Sequence, residues 1–193
     1  MIERPKIDRL VVASKNPDKI AEIEAVLIAA GAVAEIVRGL DWPDVDEIED
    51  TLEGNARLKA QAVYDATGLP ALADDTGLFV DALGGLPGVN TARYAGPQAS
   101  YSDNVALLLQ TLGDREDRQA VFRTVVVVVG AGDNLVASGE VNGQIAFGPR
   151  GANGFGYDPV FEVDGRTLAE IGGDEKNEMS HRARALWALI ELL

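Results

Sequence analysis

Ala71-Leu72-Ala73-Asp74-Asp75-Thr76-Gly77-Leu78-Phe79-Val80-Asp81-Ala82-Leu83-Gly84-Gly85 carries a short apolar run straight into two adjacent carboxylates and then into a glycine-punctuated segment. The run predicts a short buried strand ending at the carboxylates. Side chains at the end of such a strand are held rigidly, and glycines beside them let a ligand approach the backbone. Asp74 and Asp75 repel each other and need a cation or a hydrogen-bond donor close by. Two readings stay open on this stretch alone: a turn after a strand, for which Asp, Thr and Gly are ordinary residues, or the chemical centre of the chain.

Working outward toward the N-terminus, Thr51 caps a predicted helix that runs to about Thr67, with Ala56, Ala60 and Val63 along one side and Gly68 at the stop. Asn55 and Lys59 are four apart and share a face, which points at an anion or at water. Ahead of the helix lies an acidic run, Asp41, Asp44, Asp46, Glu47, Glu49, Asp50 and Glu53. Such a run is usually a solvated loop, and one or two of its carboxylates could face a metal. Ala34 to Arg38 suits a strand. Ile7 to Ala13 is a buried strand centred on valines, followed by Ser14-Lys15-Asn16-Pro17-Asp18-Lys19. Asn16 suits an N-cap and Pro17 the first helical position; Ile20, Ile23, Leu27 and Ala30 share one face, and Gly31 suits the C-terminal cap. The N–H groups of such a helix start favour phosphate, and Ser14, Lys15 and Lys19 add donors. The same residues also fit an ordinary capped helix with solvated lysines. The segment lacks the Gly-Lys-Ser/Thr ending of a Walker A loop.

On the C-terminal side, Leu86 to Gly96 is rich in turn residues, and Ser102 opens a predicted helix through Leu112 that stops at Gly113. Ala120 to Val129, with five consecutive valines, predicts a strand covered on both faces, and Gly130 to Asn134 turns it into a second strand from Leu135 to Gly139. Gly148 to Pro159 places four glycines around Phe155 and Tyr157. Phe155 suits an aromatic platform for a flat ring, or it plugs the core together with Tyr157. Thr167 to Ile171 suits a helical turn. Ser180 caps a last helix, whose first turn holds His181 and Arg182. Cations there oppose the helix dipole, so they need an anionic or carbonyl-bearing partner, or they point into solvent. Strands interleaved with helices predict a single domain over residues 1–193, a three-layered α/β fold with a mixed sheet.

Composition bounds the chemistry. The chain has 193 residues, 47% of them hydrophobic, and a formal net charge of -14, which disfavours a phosphate-backbone grip on nucleic acid. With no cysteine and one histidine, thiolate catalysis and a conventional zinc site are excluded, so any metal is a hard, oxygen-ligated ion. Met1 to Lys6 is charged and leads into a strand, and no apolar run approaches the ~20 residues that span a bilayer. The expectation is a soluble, cytoplasmic protein without a membrane partner.

Four segments, in order, resemble the inosine triphosphate pyrophosphatase family. They are Ser14-x-Asn16-x-x-Lys19; Ala73 to Gly85; Gly154-Phe155-Gly156-Tyr157-Asp158-Pro159; and Lys176-x-x-x-Ser180-His181-Arg182. The resemblance implies a mixed central sheet flanked by helices, in two lobes with the active-site cleft between them. It implies hydrolysis of ITP, dITP and XTP to the monophosphate and pyrophosphate by a homodimer, with magnesium as cofactor and manganese as the alternative ion. Carried over position by position, Ser14, Asn16 and Lys19, with Lys15 beside them, would hold the phosphates and Lys59 would assist. Asp75 would be the general base and, with Glu47, would bind the metal; a carboxylate beside magnesium would have a low pKa. Thr76 would contact substrate, Phe155 would stack on the base, Gly156, Tyr157 and Asp158 would complete that loop, and Lys176, His181 and Arg182 would meet the purine edge. The chain departs from the family pattern at Thr76, usually serine, at Gly54, usually glutamate, and at Val141, often tryptophan. The alternatives are a related-fold pyrophosphatase acting on other modified nucleotides and a nucleotide-binding module without catalysis.

Overall fold

The consecutive buried residues Leu10, Val11 and Val12 suit a strand covered on both faces, and β1 (Ile7–Val12) lies between two parallel neighbours, β2 (Val33–Val37) and β3 (Ala71–Val80). Ile7 pairs with Val33, and Val12 pairs with Leu72. The computed structural model describes residues 6–193, so the Met1 to Pro5 part of the expected lead-in lies outside them. The remaining strands are β4 (Pro87–Gly88), β5 (Gln119–Val129), β6 (Leu135–Ile145), β7 (Phe161–Val163) and β8 (Arg166–Thr167). Their order is β2-β1-β3-β5-β6-β7-β8, with β4 antiparallel on β3. Parallel pairs around β1 and antiparallel pairs from β6 to β8 make the sheet mixed, as expected, and helices flank it.

The chain divides into two compact units. The first holds residues up to Asp75, Thr124–Gly139 and His181–Leu193. Its helices are α1 (Pro17–Ala29), α2 (Leu52–Thr67) and, at the C-terminus, α5 (His181–Leu192). Asn16 caps α1 through its side chain, Thr51 caps α2, and Gly68 closes α2 in the left-handed region at φ 69°. Leu10, Ile23, Leu27, Leu72, Val126, Val128, Leu186 and Leu189 form its core. Each such buried aliphatic side chain contributes about 1.5–3 kcal/mol, against ~1 kcal/mol for a cap, so the core holds the helices and the caps set where they start. Gly139 shows how tightly α5 lies on β6: a β-carbon there would stand 2.3 Å from the Ala185 backbone nitrogen.

The second unit holds Thr76–Arg123 and Glu140–Ser180. Its helices are α3 (Tyr101–Leu112) and α4 (Gly173–Met179), and its core joins Leu78, Leu108, Phe122, Ile145, Phe161 and Leu168. Four expectations are corrected. β3 does not stop at the carboxylates but runs on to Val80, because Leu78 and Phe79 pair with Gly88 and Pro87 of β4. Asp74 and Asp75 therefore sit within a strand and not in a turn. The cap of α3 is Ser100, not Ser102, since Ser100 and Asp103 close a reciprocal capping box. β6 extends past Gly139 to Ile145, with buried Val141 and Ile145 alternating with exposed neighbours. Finally, α4 forms where no helix was expected; Ser180, in extended conformation, stands directly before α5, at the position expected of its cap.

Candidate active site

The ends of parallel strands position the first unit's polar groups. The Ala13 N–H bonds to the Leu72 carbonyl at 2.7 Å, so the loop after β1 leaves the sheet beside the approach to Asp74. In that loop the Asn16 N–H donates to Ser14 Oγ, and Asn16 Oδ1 accepts from the Asp18 N–H. Lys15 lies apart from the cluster, in an exposed ion pair with Asp44. Lys19 points inward, its Nζ 3.2 Å from Asp74 Oδ2. Arg182, at the start of α5, donates from Nε and Nη2 to the same oxygen, both at 3.1 Å, and from Nη1 to Glu22. Burial pushes the Asp74 carboxyl up, but Lys19, Arg182 and Lys59 outweigh it and hold Asp74 well below the usual carboxylate range. Burial lowers Lys19 despite the opposing pull of Asp74. Arg182, expected at the purine edge, is thus 2% exposed and bonded to two carboxylates. These are the anionic partners that its unfavourable place in the dipole requires.

Asp75 belongs to a different set. Its Oδ1 lies 3.1 Å from Lys59 Nζ and its Oδ2 accepts from Asn55 Nδ2 at 3.4 Å. The same Lys59 ammonium lies 2.7 Å from Glu47 Oε1. Burial raises the Asp75 carboxyl above its ordinary value, and Glu47 adds to that, although Lys59 and Lys19 pull the other way. The low pKa expected of this carboxylate is therefore not what its protein surroundings produce. Lys59 is raised: burial lowers it, but Asp75, Asp74 and Glu47 together prevail. Asn55 also clamps the acidic loop, exchanging bonds with the Glu49 backbone at 3.0 and 3.1 Å. The glycine at 54 now has a reason, since a β-carbon there would stand 2.7 Å from Glu49 Cβ. Glu53 turns away to pair with Arg57 on the helix surface.

Among the described residues no group of three or more acidic or histidine side chains is arranged to hold a metal ion. Two carboxylates, Glu47 and Asp75, do converge on one cation, Lys59. That donor set fits a magnesium ion, which takes one or two protein carboxylates and completes its shell from substrate phosphates and water. His181 is buried, with Nδ1 2.7 Å from Thr124 Oγ1.

In the second unit, Thr76 follows Asp75 on β3 and is half-buried. The Phe155 loop is organised by Asp158: its Oδ2 accepts from the Phe155 N–H at 2.8 Å and from Lys176 Nζ at 2.6 Å. Lys176 Nζ stands 5.0 Å from the Phe155 ring centroid, and Tyr101 packs against that ring. Gly154 and Gly156 adopt φ of 70° and 64°, and a β-carbon at 154 would meet Asp158 Oδ2 at 2.0 Å, so only glycine fits before Phe155. Tyr157 goes to the core, where its hydroxyl donates to the Thr91 carbonyl and burial raises its pKa.

Sequence reading singled out Asn55 only as one residue of an anion-facing helix side, and it missed Glu22, Thr124 and Tyr101. Glu22 had a usable signal, lying three residues after Lys19 on one face of α1. Thr124 had none, because its partner is 57 residues away.

Half-buried lysines thus stand against the paired strand carboxylates, and a glycine-flanked aromatic stands beside a buried Lys-Asp pair. The model of the Ham1 family matches residues 10–192, and the chain belongs to that family. Its relatives include the dITP/XTP pyrophosphatase of Symbiobacterium thermophilum, 49% identical over 191 residues, 96% of this chain and 94% of that one. Among solved structures, a HAM1 protein from Coxiella burnetii is 39% identical with a TM-score of 0.83, covering 96% of this chain and 98% of that one. The nucleoside-triphosphatase / dITP/XTP pyrophosphatase of Mycobacterium abscessus is 44% identical with a TM-score of 0.70, covering 94% and 97%.

Proposed function

We propose that this chain hydrolyses noncanonical purine nucleoside triphosphates, ITP, dITP and XTP, to the monophosphate and pyrophosphate, and so cleanses the nucleotide pool. The observation that carries the reading is the Lys59 ammonium shared by Glu47 and Asp75 at 2.7 and 3.1 Å. The names of the relatives from Symbiobacterium thermophilum and Mycobacterium abscessus support the substrate class.

In this reading Ser14, Lys15, Asn16 and Lys19, with the N–H groups that open α1, bind the phosphates. Asp75, held by Asn55 and Lys59, orients a water and takes its proton as the water oxygen bonds to the α-phosphorus. The bond from that phosphorus to the bridging oxygen breaks, and Lys59 stabilises the charge on the departing pyrophosphate. Burial raises the Asp75 carboxyl in the protein alone and bound magnesium would lower it again, so the main part of Asp75 is to place the water. Glu47 and Asp75 would hold magnesium, which when bound spreads the charge of the triphosphate. Thr76 contacts the substrate, and Phe155 stacks on the purine in the loop of Gly156, Tyr157 and Asp158. Lys176 favours a 6-oxo acceptor over the 6-amino donor of adenine, whereas Arg182, whose guanidinium is taken up by Asp74 and Glu22, and His181, bonded to Thr124, support the site from within the first unit.

Pyrophosphate release from ITP, XTP, GTP, ATP and dTTP with magnesium tests the proposal. ITP and XTP should be cleaved, and no release from any of the five would overturn it. Family resemblance extends the proposal to a cytoplasmic homodimer, and the net charge of -14 supports the expectation of no nucleic-acid partner. A sedimentation mass of one chain would remove the dimer.

A further inference from the structure

Phe155 stands between two glycines with positive φ, and its backbone N–H is tied to Asp158. That bond fixes the loop but not the ring. The ring has two well-defined neighbours. One is the Lys176 ammonium, held by Asp158 at 2.6 Å. The other is Tyr101, whose ring centroid lies 5.9 Å from that of Phe155 with the planes tilted by 38°, inside the separation at which aromatic pairs attract.

Tyr101 is itself held in place. It is the first residue of α3, directly after Ser100, whose capping box with Asp103 defines the helix start. Val105, Leu108 and Leu112 anchor the same helix in the second unit's core. Beside the two rings lies an apolar hollow of about 470 Å³, lined also by Val105, Leu109 and Pro159. Tyr101 is 46% exposed, so it is not needed to fill the core. It also lies outside all four motif segments.

We propose that Tyr101 is a positioning residue for base recognition: anchored at the start of α3, its ring holds the Phe155 ring in the orientation that receives the purine. The inference rests on the reading of Phe155 as the base platform. A platform oriented in advance loses less freedom when the base arrives, so Tyr101 acts on substrate affinity. It does not touch the reacting phosphorus, and kcat is left unchanged.

Steady-state kinetics on ITP with magnesium test this. Replacing Tyr101 with leucine, which keeps an apolar side chain, should raise KM about 2- to 10-fold at constant kcat, as expected for loss of one aromatic pair. Tyr101→Phe, which keeps the ring, should retain the wild-type KM. In a Phe155→Ala background Tyr101→Leu should have no further effect, because the residue acts through Phe155. A wild-type KM in Tyr101→Leu alongside a raised KM in Phe155→Ala would overturn the role of Tyr101 and leave the platform standing. An unchanged KM in Phe155→Ala would remove the platform itself. Additive effects in the double variant would also count against the inference.

Discussion

Replacing Asp74 with asparagine keeps its shape and removes its charge, and its surroundings set the cost. Asp74 is 2% exposed, with Lys19 Nζ at 3.2 Å and two Arg182 nitrogens at 3.1 Å. Arg182 keeps Glu22, but the half-buried Lys19 loses its ion-pair partner. Removing one member of a buried pair costs about 3–5 kcal/mol, and the remaining amide oxygen places the substitution near 3. At ~2–4 °C per kcal/mol for a chain of this size, Asp74→Asn lowers Tm by roughly 6–12 °C. Asp75→Asn behaves oppositely. Lys59 keeps Glu47 at 2.7 Å, and because burial raises the Asp75 carboxyl, folding disfavours its charge. A neutral amide relieves that penalty, so Tm holds or rises while pyrophosphate release is lost. The sign with pH follows from Asp74. Its folded pKa is depressed, so its contribution is present above the unfolded value of about 3.9 and is lost as pH falls below it. The Tm gap between wild type and Asp74→Asn should therefore narrow below about pH 4. Differential scanning fluorimetry beside a pyrophosphate assay reads both variants. Equal Tm for wild type and Asp74→Asn at pH 7, or a larger loss in Asp75→Asn, would refute the reasoning.

Asn55→Ala removes both bonds to the Glu49 backbone and should cost about 1–3 kcal/mol in urea unfolding; an unchanged midpoint would mean that the acidic loop holds itself. Gly139→Ala should destabilise by at least about 1–3 kcal/mol, because its β-carbon would meet backbone atoms of Ala185 and His181 at 2.3 and 2.4 Å. Gly148→Ala, with nothing within 4 Å, is the neutral control in the same melting experiment. EDTA should abolish pyrophosphate release and added magnesium restore it, and full activity in EDTA would take Glu47 and Asp75 out of metal binding.

Local signals were legible where the chain decides its own conformation. Asn16, Thr51 and Gly68 marked helix ends because caps depend on residues a few places apart. The choice between Ser100 and Ser102 turned on Asp103 lying three residues after Ser100. α4 gave no warning, since Gly173-Asp174-Glu175-Lys176-Asn177-Glu178-Met179 has no apolar periodicity and owes its place to the surrounding unit. The site was legible as a set of residues but not as a set of pairs. Lys19 and Arg182 were read as donors for phosphate and purine, and both are bonded to Asp74.

The division between the two aspartates follows from the strand itself. Successive residues of a strand point to opposite faces. With β3 continuing through Asp75 to Val80, Asp74 and Asp75 face different hydrogen-bonding groups, although Lys19 and Lys59 act on both through their charge. Asp74 turns toward Lys19 of α1 and Arg182 of α5, whereas Asp75 turns toward Asn55 and Lys59 of α2. A turn at this point would have left both carboxylates free to approach the same cations. It is the five residues beyond them, Thr76 to Val80, paired through Leu78 and Phe79 with β4, that keep this segment a strand. Ordinary β geometry thereby gives one carboxylate a neutralised structural setting and the other a setting in which burial raises its pKa.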